Sequence, residues 1–262
     1  QAGGGGGLDV VRVVDANNQA NAAAKAAQST LTSDQAALDA AKKAAESGQT
    51  TETTDKLNVP QDYINVWKEY YQNVHGFTMD PNSDYFRRNK AASTEAKKMN
   101  QDFVASEQDK NTPVHFNSDG TLSRDDVIIA TKYAAELINP IREAIGVTPY
   151  GITNASVDAT IENTQKYRAK GHNDWQDAHD GALLDEVGKE WGTDALAESL
   201  AGDLNISTKL TNKQNVSVAD LKEAVHQAVV DLLFEGADGS TGGHTTDLLG
   251  VRYRMGTVLC GG

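Results

Sequence analysis

The stretch that most limits how this chain can fold runs from residue 217 to 250, SVADLKEAVHQAVVDLLFEGADGSTGGHTTDLLG. Ser217 and Asp220 form an S-x-x-D capping box. Leu221, Ala224, Val225, Ala228, Val229, Leu232 and Leu233 then recur at helical spacing, which predicts a helix buried on one face. Glycines at 239, 242 and 243 permit a sharp turn. That turn returns His244 to the acidic end of the helix, where Asp231, Glu235 and Asp238 lie. A carboxylate and an imidazole held close by packed elements make a candidate site.

With 262 residues the chain has room for one large or two small domains. Its 39% hydrophobic content is low for a wholly compact protein, so part of it is expected to be an extended or solvated helical segment. Lys plus Arg number 24 against 37 Asp plus Glu, and the net charge of -13 repels phosphate backbones and anionic lipid. Nucleic acid and anionic membrane surfaces are therefore not expected as partners, and direct membrane insertion is not expected for the separate reason of apolar run length. Cys260 has no second cysteine to pair with, so no internal disulfide and no cysteine-based zinc site can form. No apolar run approaches the roughly 18 residues of a membrane span. The start at Gln1, followed by Ala2 and five glycines, reads as a fragment or processed product.

Taken in order, residues 1–56 read as a glycine lead, an alanine-rich helical stalk and a polar linker. Residues 8–14 (LDVVRVV) are a short apolar run, strand or opening helical turn. From 15 to 47, Ala24, Ala27, Leu31, Leu38, Ala41 and Ala45 form a thin apolar seam, the pattern of a solvated stalk or weak coiled coil through which a homodimer is conceivable. Residues 57–120 read as a helical wrapping segment. Tyr63, Val66, Trp67, Tyr70, Tyr71 and Val74 share one helical face and are expected in the core, with His75 ending that helix. Tyr85, Phe86, Met99 and Phe103 are the apolar anchors of the polar stretch that follows.

A further unit, 121–262, opens with a second capping box, Ser123 and Asp126, and a long helix ending at Gly146 with Pro140 inside it. Ser156 is expected to cap the next helix, and 183–191 to form a short one. Between them GHNDWQDAHD places His172 and His179 among aspartates, a potential metal-ligand set and equally the composition of a solvated loop. In ALAESL, Glu198 sits among small and apolar neighbours, as on the wet face of a helix; burial would raise its pKa and suit it to acid/base work. Residues 251–259 alternate as a strand does. Zinc-protease, serine-hydrolase, Walker and dinucleotide motifs are absent from the sequence.

Four segments in order, LSRDDVIIATKYAAELINPIREAIG, GHNDWQDAHD, LLDEVGKEWGTDALAESLAG and LKEAVHQAVVDLLFEGADGSTGGHTTDLLG, resemble the CAP superfamily as found in the SEC10/PgrA surface exclusion proteins of Gram-positive bacteria. Asn139 and Arg142 resemble that family's opening N-x-x-R. The resemblance implies an α+β fold, an α-β-α sandwich with its C-terminal strands cut short, behind a helical, coiled-coil-like stalk. It implies a cleft gathering two histidines and two acids: His179, Glu198, His244 and Glu235, with Asp238 as rival to Glu235 and His172 as rival to His179. Ala197-Glu198-Ser199-Leu200 stands where the family has G-E-N-L.

If the four side chains converge, His179 and His244 are the candidate ligands of a divalent ion such as zinc, or a glutamate acts as general base in a hydrolase or peptidase. The leading expectation is a non-enzymatic, extracellular protein of a Gram-positive cell surface. Such a protein would limit conjugative plasmid transfer by contact with a surface protein or the cell wall.

Overall fold

The computed structural model describes residues 52–172, 177–193 and 196–251, together with Ala24 and Gln35. The chain divides into two compact units, Gln1–Glu52 and Thr53–Gly262. In the first, Ala24 and Gln35 are helical and exposed. The rest of the alanine-rich seam and the apolar run at 8–14 lie outside the described residues.

The second unit is built from helices: α1 (Gln61–Asn73), α2 (Asp84–Met99), α3 (Glu107–Asn111), α4 (Arg124–Ile145), α5 (Asn154–Ala169), α6 (Gly181–Glu190), α7 (Leu204–Thr211), α8 (Val218–Leu233) and α9 (Gly243–Leu249), with a 3-10 turn at Glu235–Asp238 between the last two. The caps follow from sequence. Ser123 Oγ accepts from the Asp126 N–H to open α4, and Gly146, at φ +87°, closes it after a run that continues through Pro140. The Ser217/Asp220 box opens α8 with both reciprocal bonds made. At α5 the cap is Thr153, one turn earlier than expected, and Ser156 is its reciprocal partner in a capping box.

The main core joins α1, α2, α4, α8 and α9. Of the expected stripe, Tyr63, Val66, Trp67 and Tyr70 are buried in it, Tyr71 is partly buried and Val74, at the helix end, is exposed. Tyr63 Oη donates to the Leu233 carbonyl at 2.6 Å, and Trp67 Nε1 donates to Asn89 Oδ1 at 3.0 Å. Met99, expected as an anchor, is exposed, and Met79 is buried instead. A smaller cluster gathers Val114, Val216, Val218 and Leu221, and a third holds Tyr167, Leu183 and Val187 where α6 packs on α5.

The expected α-β-α sandwich is not what forms. Among the described residues extended segments meet only in isolated antiparallel bridges, Pro113 with Ser217 and Phe116 with Leu122, and no sheet is present. The physical reason is periodicity: in the helices from α1 to α9 the apolar residues recur every three or four positions, and alternation is confined to short pieces such as 114–116 and 216–218, too short to build a sheet. The strand expected at 251–259 falls outside the described residues, apart from the buried Val251.

Candidate functional site

The structure brings the sequence-predicted site residues together two by two. The first pair lies where α8 ends. Beyond Leu233 the chain tightens into the 3-10 turn, Gly239 and Gly242 adopt left-handed backbone at φ +84° and +88°, and α9 begins. This reversal sets His244 Nδ1 2.9 Å from Glu235 Oε2. The same carboxylate accepts Ser240 Oγ at 2.8 Å and the Thr245 backbone N–H at 3.0 Å. Glu235 keeps only 13% of its side-chain exposure. Burial by itself would raise its carboxyl, but the Thr245 N–H, His244 and Ser240 together hold it below its ordinary value.

A carboxylate only accepts, so Nδ1 of His244 carries the proton and Nε2 of the neutral ring is an acceptor. The His244 side chain is 43% exposed. Beside it, Met79 N–H donates to the Thr241 carbonyl at 2.7 Å and Thr246 Oγ1 to the Phe77 carbonyl at 2.6 Å, which ties residues 77–79 to the start of α9. Asp238, the rival acid, is engaged elsewhere: it takes Lys97 Nζ of α2 at 2.6 Å, with Asp231 3.5 Å from the same ammonium.

The second pair lies between α5 and α6. Asp180 caps α6 by accepting the Leu183 N–H at 3.0 Å, and its own N–H donates to Tyr167 Oη at 2.9 Å. His179, one residue earlier, has Nδ1 2.7 Å from Glu198 Oε1. Tyr167 Oη donates to the same oxygen at 2.8 Å, and Asn163 Nδ2 donates to Oε2 at 3.1 Å. Burial, together with the neighbouring charges of Glu198 and Asp180, pushes the Tyr167 hydroxyl up to about 12. Glu198 is on irregular chain, not a helix face, and its side chain is largely buried. His172 packs edge-on against Tyr167, ring centroids 4.2 Å apart.

Sequence reasoning misses the groups that hold the two acids: Ser240 and Thr245 for Glu235, Asn163 and Tyr167 for Glu198. Asn163 and Tyr167 stand four apart on α5, a spacing that shares a helical face, and this is the one signal that points to them. Among the described residues no group of three or more His, Cys, Asp or Glu side chains is placed to hold a metal ion. A zinc ion shared by His179 and His244 therefore finds no such donor set there. Chemically, each pair presents an oriented imidazole whose Nε2 accepts a proton, backed by an internally bonded carboxylate.

No protein-family model and no curated protein matches the sequence. Among solved structures the chain is similar to the CAP domain of Enterococcal PrgA, with a TM-score of 0.43 and 19% identity, over 69% of this chain and 76% of that one. A likeness at that distance assigns neither family nor activity. No helix among the described residues is long and apolar enough to cross a membrane.

Proposed function

We propose that this chain is a non-catalytic, extracellular interaction module of a Gram-positive cell surface. Its role is surface exclusion, limiting uptake of a related conjugative plasmid through contact with a surface protein or the cell wall. The observation that carries the non-catalytic part is how Glu235 is spent. Its two oxygens are occupied by the Thr245 N–H, Ser240 and His244, which fasten α9 to the end of α8. A carboxylate held below its ordinary value by these donors is a poor proton acceptor. The surface-exclusion part rests on the resemblance of four ordered sequence segments, and the net charge of -13 suits a protein kept soluble outside the cell.

A second reading, a CAP-type hydrolase or peptidase, draws on the half-exposed His244 and His179 rings, each with Nδ1 fixed on a carboxylate as a general base requires. The test of the first reading is a mating assay into recipient cells that display the full chain. A fall in transconjugants relative to cells displaying an unrelated acidic protein supports it. Equal transfer into both recipients rejects it.

A further inference from the structure

Residues 53–60 enter the second unit, the head, as an irregular strap ahead of α1, with Leu57 and Val59 packed against the main core and polar contacts at Thr54 and Asn58. Thr54 N–H donates to the Val104 carbonyl at 2.9 Å, and Val104 N–H donates back to Thr54 Oγ1 at 2.9 Å. Tyr133 Oη of α4 donates to the Thr54 carbonyl at 2.6 Å. Asn58 and Asn100 exchange two further bonds, at 2.8 and 2.7 Å. Asn100 is itself buried and donates Nδ2 to the Ala96 carbonyl of α2 at 2.8 Å, so residues 57–60 are fixed from that side. The start of the strap, residues 53–55, is held by Val104 and Tyr133, and beside Val104 stands Phe103. Its ring packs on Tyr133, 6.5 Å between centroids, and on His226 of α8, 5.6 Å.

His226 is the unusual member of this stack. It is 2% exposed, and its Nε2 has no hydrogen-bond partner among the described residues. Several charged groups on the elements packed around α8 are engaged with partners. Asp109 of α3 takes Lys222 Nζ at 2.8 Å, and that ammonium lies 5.6 Å over the Tyr133 ring of α4. Lys209 of α7 is bound to Asp220, Lys97 of α2 to Asp231 and Asp238, and Glu235 to His244 of α9. Glu136 on α4 and Asp55 on the strap act on Tyr133. An imidazolium at 226 would meet the Phe103 ring and the field of Lys222, with Asp109 committed to that lysine.

We propose that His226 is a proton-operated release for the start of the strap: protonation expels its ring from beneath Phe103, residues 103–104 lose their seat, and residues 53–55 detach while residues 57–60 and the aromatic core on α1 stay in place. Burial lowers the imidazole from its ordinary value, which agrees in sign. The closed state binds fewer protons than the open one. Closure is therefore complete above the free value of about 6.5 and weakens as pH falls below it. The proposal gives residues 53–55, where the chain leads into the head, an acid-sensitive hold.

The test is amide hydrogen exchange on the full chain at about pH 7.5 and about pH 5, corrected for the intrinsic rate. Expected is a loss of protection of about tenfold per pH unit below the transition at Thr54 and Val104, with Asn58, Trp67 and Leu137 unchanged. The same loss in His226→Phe, or a uniform loss across the head, overturns the proposal. Should His226→Phe fail to fold, the wild-type imidazole is titrated by NMR. A ring midpoint that coincides with the loss of strap protection supports the proposal, and separate midpoints overturn it.

Discussion

The end of α8 and the junction of α5 with α6 solve the same local problem, a partly buried glutamate beside a half-exposed histidine, with different materials. At Glu235 one donor is a backbone N–H, and the pair lies against the main core, where Leu233, Phe234 and Leu249 are buried. At Glu198 the donors are the side chains of His179, Tyr167 and Asn163, over a cluster of three buried residues. A backbone donor cannot rotate away to water without moving α9, so the Glu235 pair is tied to the fold as a whole. The Glu198 pair secures a local junction.

The largest expected difference follows from that contrast. Glu235→Gln leaves the Thr245 N–H, Ser240 and His244 poorly matched in a buried place and should destabilise the chain by about 3 kcal/mol in urea unfolding, against about 1 kcal/mol for Glu198→Gln. Equal losses would erase the distinction.

Glycines sharpen it next. A Cβ on Gly236 stands 2.4 Å from Asn89 Nδ2, in the buried contact where Asn89 also receives Trp67 Nε1. Gly236→Ala should therefore lower stability by about 2 kcal/mol. Gly188 sits inside α6, and a Cβ there meets Thr193 and Leu196 at ordinary contact distances of 3.5 and 3.6 Å. Gly188→Ala should raise stability by up to about 1 kcal/mol through helix propensity. Thermal unfolding reads both signs.

The smallest effect is in pH. Because the folded Glu235 carboxyl lies below its ordinary value, its contribution is complete above the unfolded value of about 4.3 and is lost as pH falls through the folded one. Glu235→Gln should flatten the acid limb of the stability profile below about pH 4.3. An unchanged limb would mean that the donors around Glu235 do not favour its ionised form.

These regions also differ in how far the sequence reveals them. The Ser217 box, the apolar spacing of α8 and the glycines after it point to a reversal that returns His244 to an acid, and that reversal forms. Which acid it meets is not legible, because Asp238 is removed from the choice by Lys97, 141 positions away. At α5 the periodic signal places the helix, but Thr153 and Ser156 are chemically alike as caps, so the start is misread by one turn. Glu198 is misread as the face of a helix because leucine and alanine neighbours are good helix formers, while its anchors on α5 lie 31 and 35 residues away. The sandwich expectation came from resemblance alone, and the three-to-four spacing from α1 to α9 already argues against strands there.

The central claim is that the two imidazoles brace loops and do no chemistry. The direct measurement is plasmid transfer into recipients displaying the His179→Gln, His244→Gln double variant, with circular dichroism of the same purified chain as the check on folding. The account predicts that the folded double variant excludes plasmid as well as the unaltered chain does. Loss of exclusion with the fold intact would contradict it and return the imidazoles to a catalytic role.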